Sequence, residues 1–285
     1  MALSALFAHA GPHESDAEAA VAHAAEAGTL EPAVHESGIH IELSAERLGS
    51  FAGIPVTNTL LMSWAVVILL VVIAFVVRKK LSLIPGRFQT LLELAFGFVY
   101  DYVAQVLESR DRARRFFPLL MTIFLFVFTA NILEFTPGIG SIGFFHANGA
   151  FTPLLRSVNT DLNTPLMLAI ISFLVIEVTG IMAIGVVKYS RKFFNFSSPI
   201  NFAIGIIEFI GEWVRIVSLS FRLFGNILAG EVIIVVATFF LPYIVPVPLM
   251  LFEVFIGFLQ AAIFALLTLF FIKLAIAEPH GEAAH

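Results

Sequence analysis

Arg222 stands in the stretch 218–231, Ser-Leu-Ser-Phe-Arg-Leu-Phe-Gly-Asn-Ile-Leu-Ala-Gly-Glu, within an apolar run long enough to cross a bilayer. A guanidinium cannot shed its proton in a protein, so its charge must be stabilised where it stands. At the centre of a membrane helix that costs about 2.5–3.5 kcal/mol on insertion scales. Inside a membrane such a residue usually marks an ion path, a voltage sensor or a binding site. At 100° per residue, Glu208, Arg215, Ser218 and Asn226 all fall within about 40° of Arg222, giving one polar stripe along a long helix. Glu231 falls on the opposite face. Gly211, Gly225, Ala229 and Gly230 are small enough to let another backbone approach.

The last apolar run supplies counterparts. Glu253 and Gln260 are seven residues apart, so on a helix they share a face. Pro242, Pro246 and Pro248 lie between the two runs and must interrupt the helix, because proline lacks the donor and clashes with the preceding turn. If the runs pair antiparallel, Arg222 with Gln260 and Glu231 with Glu253 have midpoints at 241 and 242, both at the first proline. Two layers follow, with Glu231 and Glu253 about 13 Å nearer the turn. Two carboxylates at one buried level do not readily ionise together, so one of them is expected to hold a proton. Such a group suits a proton relay. Arg222, permanently charged and deeper, would block simple proton passage and attract a carboxylate on a partner.

The elements that position these residues follow from composition. The chain is 59% hydrophobic and 13% charged, with a mean hydropathy of +0.95. A soluble domain carries roughly 25% charged residues. This pattern describes a lipid-embedded all-α protein. Phenylalanine is abundant and cysteine absent, so no disulfide is expected. Net charge is −5, and nucleic acid is excluded as a natural partner. Apolar runs of spanning length, about 20 residues, occur near 58–77, 116–136, 165–187, 205–241 and 249–276. Arg78, Lys79, Lys80, Arg87, Arg110, Arg112, Arg114 and Arg115 fill one connection, and Lys188, Arg191 and Lys192 another. The positive-inside rule puts both in the cytoplasm. The N-terminus and the 137–164 loop with Asp161 then lie outside. The C-terminus lies inside, as Lys273 near the end of the last span requires.

Within the first basic connection, Pro85-Gly86 precede Leu91, Leu92, Leu94, Ala95, Phe98, Val99 and Val103 at helical spacing, broken by Glu93, Asp101 and Glu108. An amphipathic helix near 86–108, lying at the inner interface, is expected. Residues 1–50 read as an acidic, His-rich extracytoplasmic tail, and 51–285 as the membrane domain. His35 and His40 are five apart and diverge by about 140° on a helix. They miss the i, i+4 spacing of a zinc helix, so no metal is expected there. Nor does any phosphate loop or nucleophile constellation appear, so the chain is not expected to be an enzyme by itself, and no cofactor is expected. A self-contained transporter binding an anion at Arg222 would be a rival, but no internal repeat is visible. A purely structural membrane subunit is a second rival, one that would have no need of Arg222.

The stretch around Arg222, Asn226 and Glu231 closely resembles the hallmark of subunit a of the F-type ATP synthases. The resemblance continues through Asn58-Thr59, Pro85-Gly86 with Gln89 and Glu93, Phe117-Pro118-Leu119, Asn131, Asp161-Leu-Asn163-Thr and Gln260. It implies a proton-translocating stator subunit whose last two helices form a long tilted hairpin around a rotating ring of subunit c. Peripheral-stalk subunit b and the other synthase subunits would be partners, in a bacterial inner membrane. Arg222 would face the ring carboxylates and separate two offset half-channels. Asn226, Glu231, Glu253 and Gln260 match positions of the outer half-channel, and Glu208 and Ser218 match inner-side positions. Glu253 stands where some relatives have histidine, which implies a different pH range for proton entry.

Overall fold

In lipid, a helix bonds every backbone N–H and C=O within its own segment, and long apolar runs take that form. The computed structural model describes residues 47–51, 54–134, 136, 143–145, 151–153, 156–193, 198–242 and 244–276. Seven helices run through them: α1 (Asn58–Lys80), α2 (Arg87–Leu107), α3 (Arg110–Glu134), α4 (Asn163–Ile184), α5 (Val186–Phe193), α6 (Pro199–Phe240) and α7 (Pro246–Ile276). Two short antiparallel strand pairs, β1 (Arg47–Phe51) with β2 (Ile54–Thr57) and β3 (Gly143–Phe145) with β4 (Phe151–Pro153), and a 3-10 turn at Val158–Thr160 complete the described elements. Six helices, all but α5, are long and apolar enough to cross a membrane. Together with the many large apolar side chains exposed on α1, α4 and α6, they make this a multi-pass membrane protein.

The sixth qualifying helix is α2, the least apolar of the set and the segment whose sequence reads as interfacial. Its side chains divide. Val103 and Leu107 are buried, whereas Phe88, Leu91, Leu94 and Phe98 are exposed. β1 begins at Arg47, inside the stretch read from composition as tail. Residues 1–46, with His35 and His40, lie outside the described residues.

Helix ends depart from the apolar runs for local reasons. α3 starts at Arg110, ahead of the apolar run, because its charged first turns need only water or headgroups around them. α1 is capped by Thr57, whose Oγ1 accepts from Leu60 N at 3.3 Å. α4 stops at Gly185, whose φ of +90° suits a residue without Cβ. The elbow folds α5 back, and Tyr189 lies over Gly180, where an added Cβ would strike its ring. Of the three prolines expected to interrupt the last two runs, only Pro242 lies in the break. Pro246 opens α7 and Pro248 sits in its first turn, where the missing N–H costs nothing.

Three buried clusters hold the helices. Val103, Leu107, Ala113, Phe116, Ile176, Leu269 and Ile272 join α2, α3, α4 and α7 at the basic end. Ile123, Val127, Ala169, Ile216, Leu223 and Phe264 join α3, α4, α6 and α7 in the middle. Met62, Val66, Ala130 and Val158 seat α1 against α3 and the 3-10 turn. α7 is central to the bundle and packs most extensively on α3. They come close at Gly257, where a Cβ would stand 2.9 Å from Asn131 Cβ.

At the basic end, the Lys273 ammonium bonds Glu108 Oε1 at 2.9 Å. That bond, and then the ammonium charge, holds the Glu108 carboxyl below its ordinary value of 4.5. Its contribution is complete above the ordinary value and fades as pH falls through the lowered one. Both side chains are largely exposed, so water screens the pair and it ties α2 to α7 only weakly. Gly257 is a stronger constraint. Gly257→Val is expected to destabilise the protein by about 1–3 kcal/mol through overpacking. A lower melting temperature of the detergent-solubilised protein would show this, whereas Glu108→Gln should leave it nearly unchanged.

Candidate functional site

The polar residues of α6 do not share one environment. The buried stripe of the helix runs through Gly205, Glu212, Ile216, Leu219, Leu223, Ile227, Gly230 and Ile234. Arg222 and Ser218 are exposed, while Glu208, Arg215, Asn226 and Glu231 are half-buried. A Cβ built on Gly211 or Gly225 meets nothing within 4 Å. The face carrying Arg222 is therefore open, with glycines that allow another helix to come close.

On α7, Glu253 and Gln260 are both buried, at 8% and 6% exposure. Glu253 lies against Gly230, the neighbour of Glu231: a Cβ there would stand 2.6 Å from Glu253 Oε2. Glycine at 230 is thus what leaves room for the carboxyl. Four polar atoms along these two helices, Asn226 Nδ2, Glu231 Oε2, Glu253 Oε2 and Gln260 Nε2, are buried without a hydrogen-bond partner among the described residues. In a folded protein such groups are few, and each calls for an explanation.

Around Glu253 the structure gathers residues that sequence reasoning did not place in the site. Asn131 of α3 donates from Nδ2 to Gly257 O at 3.1 Å, and its Oδ1 accepts from Asn159 Nδ2 at 2.6 Å. Ser157 Oγ donates to Glu134 Oε2 at 2.7 Å. Glu134, at the end of α3, is near enough to Glu231, Glu253 and Arg156 for their charges to act on it. Carboxyl groups from three helices thus lie within electrostatic range of Glu134, and Arg156 acts on both Glu134 and Glu231. An Asn and a Glu three residues apart near the end of an apolar run carry the signal that could have flagged 131 and 134. Arg156 and Asn159 had no such signal, because only the tertiary fold brings the 3-10 turn onto α3 and α6.

Asp161 belongs to a separate anchor. Its Oδ1 accepts from Asn163 N at 3.1 Å and its Oδ2 from Thr59 Oγ1 at 3.5 Å, joining the starts of α4 and α1. Toward the basic end, Glu212 is buried and ion-paired with Arg215, whose guanidinium stacks 4.0 Å from the Phe271 ring centroid. Among the described residues no group of histidines and acids is arranged to hold a metal ion.

An all-helical membrane body with charged side chains at depth and an open, glycine-bearing face around an arginine defines an ion-handling membrane subunit, not a self-sufficient enzyme. The family model for the ATP synthase A chain matches residues 60–273, and the chain belongs to that family. ATP synthase subunit a of Moorella thermoacetica is 32% identical over 219 residues, covering 77% of this chain and 90% of the relative. That of Geotalea daltonii is 30% identical over 221 residues, covering 76% and 87%. The relative from Propionigenium modestum, described as sodium ion specific, is 31% identical over 252 residues, covering 87% and 83%. The chain is thus a non-catalytic, ion-translocating stator component in the membrane part of an F-type ATP synthase.

Gly230→Ala tests the close approach at Glu253. The added methyl would meet the far end of a flexible side chain, so the complex should assemble with Glu253 displaced. Ion-driven ATP synthesis is expected to fall at least about fivefold, equivalent to ~1 kcal/mol. Unchanged synthesis would mean that the Glu253 carboxyl has no positional role.

Proposed function

We propose that this chain conducts protons through two offset half-channels against a rotating ring of subunit c, coupling their flow to ATP synthesis. The observation that carries the reading is the row of partnerless buried polar atoms on Asn226, Glu231, Glu253 and Gln260, beside an exposed Arg222. Groups that the protein itself does not satisfy are the groups a hydrated path would use. Arg222 faces the ring and meets its carboxylates one at a time; a fixed positive charge there repels a proton trying to cross directly. Glu231 and Glu253, with Glu134 added by the geometry, form the outer entry, where closely spaced carboxylates share protons. Asn226 and Gln260 line the route toward Arg222. Glu208 and Ser218 belong to the inner side.

Several finer assignments go with this reading. α6 and α7 form a long tilted hairpin wrapped on the ring, as the approach of Glu253 to Gly230 supports. α2 lies along the inner interface, leaving five spans, in keeping with its lower apolarity. The basic connections face the cytoplasm, so the N-terminus is outside and the C-terminus inside a bacterial inner membrane. Subunit b and the remaining synthase subunits complete the partners.

Arg222→Ala in membranes carrying the whole complex is the decisive variant. Loss of proton-driven synthesis with the complex still assembled, and passive leak appearing in the same vesicles, supports the separator role; normal synthesis overturns it. Glu253→Gln should move the outer-side pH profile of synthesis by about one unit, and an unmoved profile counts against the shared-proton entry. The conducted ion is tested directly, because one relative is described as sodium ion specific. Synthesis abolished by a protonophore and indifferent to sodium supports protons. A strict sodium requirement refutes them.

A further inference from the structure

Two anchorages hold the first two helices, and the long stretch between them is bare. Met62 and Val66 seat the N-terminal part of α1, and Val103 and Leu107 seat the end of α2. None of residues 67–102 is buried. Residues 71–76 are all exposed, and at 100° per residue six in a row sample every side of the helix. A packed protein helix covers one side of such a span, whereas lipid surrounds it. That lipid-facing surface runs on into the corner between α1 and α2. There Leu83 and Ile84 are 103% and 88% exposed, and Phe88 after them is exposed as well.

The corner has a fixed shape. Gln89 Oε1 accepts from Ser82 N at 3.1 Å, and its Nε2 donates to Ser82 O at 3.0 Å and to Glu93 Oε1 at 2.8 Å. Ser82 Oγ donates to Ile84 O at 2.6 Å. Polar groups of the connection are thus turned onto one another, while its large apolar side chains are left outside. Arg78, Lys79, Lys80 and Arg87 flank them, with no acidic residue between Glu46 and Glu93. All four are exposed, and among the described residues none is in an ion pair. Lys79 Nζ lies 4.7 Å from the Phe75 ring centroid, so its stem follows the apolar span. A basic cluster directly at the end of a span attracts anionic headgroups, and apolar side chains beside it enter the acyl boundary.

We infer that Arg78, Lys79, Lys80 and Arg87 hold headgroups of anionic phospholipids in the cytoplasmic leaflet, with Leu83, Ile84 and Phe88 lodged among the acyl chains. The inference rests on the proposed orientation, in which the basic connections face the cytoplasm. A protein partner would have to bring acids to four cations and would still leave most of the α1 circumference bare. An anionic leaflet supplies negative charge and hydrocarbon at adjoining depths. Bound lipid takes the place of the protein packing that residues 67–102 lack.

The chain has no cysteine, so Leu83→Cys gives this subunit one site for a small fluorophore. The whole synthase is labelled there and placed in phosphatidylcholine vesicles containing a minor fraction of brominated lipid, either phosphatidylglycerol or phosphatidylcholine. The native complex, treated alike, gives the blank. At equal mole fraction, brominated phosphatidylglycerol is expected to quench several-fold more than brominated phosphatidylcholine. Replacing Arg78, Lys79, Lys80 and Arg87 together by Gln should bring the two quenchers to parity, and added salt should narrow the difference. If the fourfold variant does not assemble, Arg87→Gln alone should narrow it as well. Equal quenching by both lipids with all four basic residues present overturns the headgroup site. Quenching by neither means that protein or water covers the corner, which overturns it too. Gly86→Cys, at a position with open space around it, reports orientation through a membrane-impermeant maleimide. Selective quenching with that thiol reachable only from the outer face overturns the orientation and leaves the headgroup site standing. A thiol reachable from the cytoplasmic face, without selective quenching, overturns only the site.

Discussion

The structure is organised around a constraint that lipid imposes on polar groups: at membrane depth each must find a partner or a use. Asn131 is the clearest partnered case. It bridges Gly257 O on α7 and Asn159 in the 3-10 turn, and so fixes three elements with one side chain. Ser220 and Thr268 turn their hydroxyls back onto carbonyls one turn earlier in their own helices. What remains without a partner is concentrated on α6 and α7. There the protein leaves Asn226, Glu231, Glu253 and Gln260 with unsatisfied atoms, beside an arginine on an open face.

Close approach is the second organising factor, and glycine supplies it at two places that matter. Gly230 makes room for the Glu253 carboxyl, and Gly257 makes room for Asn131. A side chain at Gly230 would displace the Glu253 carboxyl, and one at Gly257 would press on Asn131.

Two of the ion pairs differ in kind. Lys273 with Glu108 is exposed, screened and weak. Glu212 with Arg215 is buried, and removing one partner would leave an uncompensated charge, a far larger penalty than the pair's net worth. A buried pair of that sort says little for stability.

Much of this architecture is legible in the residues. Apolar length and the clustering of basic residues give the helices and their order, because hydrocarbon admits few other backbones. Arg222 and its stretch identify the family, since a permanent charge in an apolar run has little other excuse. The 3.6-residue period put Glu208, Arg215, Ser218 and Asn226 in one stripe with Arg222, but packing decided which of them face protein and which lie open. Glu134, Asn131, Arg156 and Asn159 could not be assembled from spacing, because they come from segments brought together only by contacts among α3, α6, α7 and the 3-10 turn. The same holds for Tyr189, carried to Glu177 by one glycine with positive φ. Local periodicity is a property of a segment and survives in the sequence; the meeting of charges from different segments depends on inter-helix distances, which only the folded bundle sets.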